Sequence, residues 1–143
     1  MKVIIDDGGR AAAGYKGMTG DCVCRAIAIA AEKPYQEIYD AINAVTAQTE
    51  RRSKRHRGKS NARTGVYKST ERSLLRHMGW TWTPTMGIGT GCQVHLRDGE
   101  LPVGRLIVAL SKHLVAVIDG VIHDLDDPSR GGIRCVYGYW QQI

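Results

Sequence analysis

Apolar residues along this chain change their spacing partway through. From Cys22 to Gln48 they recur at the three- and four-residue intervals of helices; after Trp80 they alternate or cluster in the short runs that strands make. The stretch Cys22–Ala31 is apolar nearly all round apart from Arg25, which predicts a helix buried in the middle of the fold, with Asp21 or Thr19 as its cap. Pro34 fits the first turn of a second helix running to about Gln48, whose inward positions are Ile38, Ala41, Ile42 and Val45. A third helix is expected from Thr70 to Met78, with Leu74 and Leu75 inward and Gly79 as its stop.

Val3 to Ile5 reads as a short strand, and Gly8 to Gly20 as a Gly/Ala-rich loop. Trp80 to Thr83 alternates like a strand and ends at Pro84; Thr85 to Gly99 suggests a loop or irregular strands. Leu106 to Leu110 is a compact apolar strand. His113 to Ile118, the turn Asp119-Gly120, and Val121 to Leu125 form the clearest hairpin, and a last strand is expected from about Ile133 to Trp140. Helices first and strands second predict a single α+β domain spanning 1–143, with N-terminal helices packed on a C-terminal antiparallel sheet.

Composition narrows the setting. The chain has 143 residues, enough to bury about 70% of its unfolded surface around one core. No apolar run approaches the ~20 residues of a membrane span, and two acids follow directly on Val3–Ile5, unlike a signal peptide. The expectation is a cytoplasmic protein that stays in the cell that made it, without membrane contact. In that compartment the cysteines at 22, 24, 92 and 135 should stay reduced, so a disulfide framework is not expected. Their spacing lacks a Cys-x-x-Cys knuckle, which argues against structural zinc; no metal and no cofactor is assigned.

The net charge of +6 is uneven. Glu50 to Arg63 carries seven Lys/Arg against one Glu. The block reads as a solvated, mobile loop, with Arg51, Arg52, Lys54, Arg55 and Arg57 as candidate contacts to nucleic acid or to an acidic protein. No aromatic residue for base stacking is interleaved before Tyr67.

The candidate chemistry rests on Cys22. A thiol becomes a useful nucleophile when it ionises, and the first turn of a helix favours the thiolate through its unpaired N–H groups and dipole. Cys24 is rotated by ~200° from Cys22 and reads as a small buried hydrophobe. In the hairpin register set by a two-residue Asp119-Gly120 loop, Ile118 faces Val121, Val115 faces Asp124 and His113 faces Asp126. His113, Asp124 and Asp126 then share one face, giving the histidine a carboxylate across or one diagonal step away. Such a carboxylate holds the ring's tautomer and stabilises the imidazolium that pairs with a thiolate. His123 falls on the opposite face.

Gly20-Asp21-Cys22 with Arg25-Ala26-Ile27-Ala28, then KPYQEIYDAI, SKHLVAVIDGVIHDLDDPSRGG and Val136-Tyr137-Gly138-Tyr139-Trp140, resembles small papain-like proteins common in phage and prophage genomes. More distantly, the pattern is similar to the peptidase domains of bacteriocin-processing transporters. The resemblance covers roughly Thr19 to Asn43 and Pro102 to Trp140. It implies a papain-like cysteine hydrolase with Cys22 as nucleophile, His113 as base and Asp124 as the orienting third member, acting on a peptide or protein substrate. Asp126 is the second choice. In the bacteriocin-processing domains the Asp precedes a proline, which would point to Asp127.

One departure matters. Papain-like peptidases carry a Gln or Asn shortly before the cysteine to help form the oxyanion hole, and none occurs between Met1 and Asp21. The backbone N–H of Cys22 supplies one donor, with Thr19, Tyr15 or Lys16 as candidates for the second. Two rivals share this layout without turnover: a binding module using the basic loop, and a structural accessory protein of a phage particle. Oligomeric state is not legible.

Overall fold

A computed structural model describes residues 1–17, 19–50 and 58–142. Its elements are β1 (Val3–Ile5), α1 (Cys22–Ala31), α2 (Tyr35–Thr49), α3 (Lys68–His77), β2 (Trp80–Pro84), β3 (Arg105–Leu110), β4 (His113–Ile118), β5 (Val121–Asp124) and β6 (Gly138–Gln142). The α+β layout of helices followed by strands is therefore present. No helix among the described residues is long and apolar enough to cross a membrane.

The described strands form one six-stranded sheet in the order β1-β5-β4-β3-β6-β2. It is mixed rather than purely antiparallel, because β1 pairs parallel with β5, Ile4 opposite His123. A three-residue strand has too little pattern of its own to declare a partner or a direction. The hairpin register is the expected one: Ile118 opposes Val121 and Ala116 opposes His123. Asp119 and Gly120 both have positive φ, 48° and 78°, as a two-residue hairpin loop matching the sheet twist requires.

Alternation along β3 and β4 divides the core in two. Ile107, Ala109, Leu114 and Ala116 face the helices and pack with Val23, Ile27, Ile38, Leu75 and Trp140. Leu106, Val108, Val115, Val117 and Ile122 face the other way, under Leu96 and Val136. Helix α1 lies chiefly on β4 and is buried along most of its length, as its composition requires.

Three local expectations are corrected. Neither Asp21 nor Thr19 caps α1: Asp21 occupies the N-cap position but makes no side-chain cap bond. Its carboxylate instead binds Arg25 and the Tyr35 hydroxyl, because a buried guanidinium attracts it more strongly than a neutral N–H. The final strand starts at Gly138, not Ile133; before it, residues 133–137 make only an isolated bridge, His95 to Cys135, and single backbone bonds. That bridge, with Leu96 N–H donating to Arg134 O, brings Cys92 and Cys135 together, Cα atoms 5.8 Å apart, and they form a disulfide. Reading the four thiols as reduced rested on compartment and on isolation in sequence. Neither reports the approach of two irregular segments 43 residues apart.

Candidate active site

Helix α1 begins at Cys22, leaving its first backbone N–H groups without intrahelical partners. Gly20, two residues earlier, passes so close to the 64–65 backbone that an added Cβ would stand 2.8 Å from the Thr64 carbonyl oxygen. That close approach is open to glycine alone, and it holds the Cys22 end of α1 beside Thr64 and Gly65. Opposite lies the start of β4, reached through Lys112, whose φ is 54°. His113 is thereby set at the end of the hairpin beside the N-terminus of α1.

Here the three residues meet. His113 Nε2 lies 2.7 Å from Asp124 Oδ2. Cys22, His113 and Leu114 line one cleft, with the Cys22 thiol close enough to the His113 ring and the Leu114 N–H for both to favour its thiolate. With Nε2 engaged by Asp124, Nδ1 is the ring nitrogen left for the thiol. Asp124 Oδ1 accepts the Leu125 N–H at 2.7 Å and faces Arg25 Nη2 at 3.5 Å, so both carboxylate oxygens are held.

The titration shifts follow from these contacts. Burial pushes the Cys22 thiol up, but the His113 hydrogen bond and charge, the Leu114 N–H and Arg25 outweigh it and hold it below its ordinary value. Burial works against the His113 cation, yet bonds to Asp124 and Cys22 raise it to about 9. Asp124 is pushed up by burial and pulled down further by His113, the Leu125 N–H and Arg25, ending low. All three shifts favour thiolate, imidazolium and carboxylate together. Cys24 is the contrast: burial drives its thiol up to about 12, and its sulfur faces the Tyr35 carbonyl oxygen at 3.8 Å.

A cleft of about 290 Å³ opens on Cys22 and His113, walled by Val23, Gly65, Val66 and Leu114. A wider groove of about 560 Å³ runs along the other side of His113, past Lys112, Arg130 and Arg134. Asp126 and Asp127 are exposed and line this second groove; neither is the partner of His113. Asp127 accepts the Ser129 N–H instead, at 2.9 Å, in the turn around Pro128. Asp124 is therefore the carboxylate paired with His113, with the runner-up Asp126 and the proline-adjacent Asp127 left in the groove.

Thr19 does not line the smaller cleft. The Tyr15 hydroxyl is turned to Gln36, 2.7 Å away. The basic candidates Arg51, Arg52, Lys54, Arg55 and Arg57 lie outside the described residues. Among the described residues no cluster of three or more His, Cys, Asp or Glu side chains could hold a metal ion.

Three buried charged groups escaped the sequence reading. Arg25, one turn beyond Cys22, bridges Asp21 and Asp124 from inside the fold and is only 8% exposed. Asp21, 1% exposed, also takes the Tyr35 hydroxyl at 2.7 Å and Arg10 at 3.4 Å. Glu71, 3% exposed, lines the Cys22 cleft. A signal existed for two of them: Arg25 is the lone charge on an apolar helix, and Glu71 precedes Leu74 and Leu75 by one turn on the inward face. No family model, no curated protein and no solved structure matches this chain.

Proposed function

We propose that this protein is a cysteine hydrolase of papain-like type, acting on an amide or isopeptide bond of a peptide or protein. The single observation that carries the reading is the contact of one helix-N-terminal cysteine, one histidine and one buried aspartate, in that chain order. A packing role for Cys22 requires none of these partners.

In this reading the Cys22 thiolate attacks the carbonyl carbon, and the oxygen takes up the negative charge beside the Cys22 backbone N–H. The intermediate collapses by breaking the C–N bond, and the His113 imidazolium gives its proton to the departing amine. A thioester remains on Cys22. Neutral His113 then removes a proton from water, which attacks the thioester carbon. The acid product leaves, and the proton on His113 regenerates the imidazolium beside the thiolate. Asp124 fixes the ring and balances its charge throughout. An amine in place of water would give transfer through the same thioester.

The test is alkylation by iodoacetamide from pH 5 to 9 with mass-spectrometric site mapping, on wild type and His113→Ala. Modification of Cys22 should be fast below pH 7 in the wild type, and in the variant its onset should move to the range of an ordinary or buried thiol. New termini should appear in a pool of host-cell peptides incubated with wild type and be absent with Cys22→Ala. A Cys22 whose pH profile is unchanged by His113→Ala would overturn the reading.

A further inference from the structure

Resting on the hydrolase reading, we infer that the Cys22 cleft selects a substrate group with an aliphatic stem ending in a cation, a lysine- or arginine-like side chain, and that Glu71 receives the charge. The apolar walls of the cleft are Val23, Val66 and Leu114, with Gly65 beside them adding no side chain. Such walls suit a methylene stem, which long cationic side chains bury while their charged ends seek a partner. Glu71, a residue 3% exposed, is one of the residues lining the cleft.

Glu71 is not part of the nucleophile's machinery. Among the described residues its side chain has one ion-pair partner, Lys68 one turn earlier on α3, with Nζ 3.5 Å from Oε1. That separation is longer than a charge-assisted hydrogen bond, and the Lys68 side chain is 53% exposed. A buried carboxylate in the cleft's lining, held by one loose, solvated lysine, keeps acceptor capacity for a closer cation. Burying it is costly without a close cation, and the present cation is free to swing into water.

The other positive groups at the cleft do not cancel this attraction. Lys112 is exposed and solvent-screened. The His113 charge is balanced by Cys22 and Asp124, whereas Glu71 acts from a low-dielectric wall, where a charge interaction is stronger.

The test uses three thiol reagents at pH 8: iodoacetamide, iodoacetate and an iodoacetamide bearing a four-carbon aminoalkyl chain. Rates of Cys22 labelling would be mapped in wild type, Glu71→Gln and Lys68→Met. The cationic reagent should label wild-type Cys22 about tenfold faster than the neutral one, the scale of one charge-assisted contact. That ratio should fall to about one in Glu71→Gln and rise further in Lys68→Met, an exposed change that leaves the fold intact if Glu71→Gln does not.

A reactive Cys22 showing no preference for the cation, or a preference that survives Glu71→Gln, overturns the role of Glu71 alone. A Cys22 inert to all three reagents overturns the hydrolase reading and this inference with it.

Discussion

His113 Nε2 and Asp124 Oδ2 stand 2.7 Å apart at the open end of one β-hairpin, at positions that alternation and a two-residue turn dictate. The pair is a local product of the chain: once Asp119 and Gly120 adopt positive φ, the register is set and the two side chains share a face. Cys22 is a non-local addition. It arrives because α1 buries its apolar residues against Leu114 and Ala116, which brings the helix's N-terminal end beside the start of β4. Core packing and site assembly are thus one event.

Replacing Asp124 with Asn tests the role of its charge at nearly constant volume. His113 would lose the bond that most strongly holds its proton, while burial would still oppose the cation. Its pKa should fall from about 9 towards or below the ordinary 6.5. The sign follows: His113 stays protonated up to about pH 9 in the wild type, so the alkaline limb of turnover lies near there, and the variant moves that limb to lower pH. On the hydrolase reading, turnover should drop by up to about 10⁴, the scale of the same Asp→Asn change in a Ser-His-Asp triad. NMR titration of the His113 ring, beside a pH–rate profile, checks both parts.

Arg25 holds two buried carboxylates, Asp21 and Asp124, from a position 8% exposed. Arg25→Met would keep the stem and remove the cation, leaving both acids without it in the interior. Removing one member of a buried ion pair costs about 3–5 kcal/mol, so chemical denaturation should show a loss of that size. Arg25→Lys should recover part of it, without the planar fork that reaches both acids. Because Arg25 also lowers the Cys22 thiol, the onset of Cys22 alkylation should shift to higher pH in Arg25→Met. A purely structural arginine would change stability and leave that onset in place.

These residues mark what could be read from the sequence. Helix α1, the hairpin and its register were legible because each rests on local rules: apolar periodicity, turn chemistry and strand alternation. Those rules put His113 on one face with both Asp124 and Asp126, and it took the fold to pair it with Asp124 and to bring Cys22 beside them. The partners of buried charges were not legible. Asp21 carries the signature of a helix cap, and only the tertiary approach of Tyr35 and Arg25 turns it inward. Glu71 shares the inward face of Leu74 and Leu75, but nothing local tells that this face meets the Cys22 cleft until α3 is docked. The parallel pairing of β1 was equally hidden, since three residues carry no signal for direction.

The disulfide between Cys92 and Cys135 was hidden for a related reason, and it makes a prediction independent of catalysis. It ties the irregular segment before His95 to the stretch leading into β6, closing a loop 43 residues long in sequence. Constraining the unfolded chain this way contributes about 2–4 kcal/mol, so dithiothreitol or Cys92→Ser/Cys135→Ser should lower Tm by roughly 6–15 °C. Neither cysteine lines the Cys22 cleft, so Cys22 alkylation should keep its rate and pH onset after reduction. Thiol counting by mass spectrometry separates the states. Untreated native protein should take up one iodoacetamide, at Cys22, because Cys24 is fully buried and its thiol is raised to about 12. Reduced native protein should take up three, at Cys22, Cys92 and Cys135. Three equivalents without reductant, with an unchanged Tm on adding it, would show that the bridge does not form in solution.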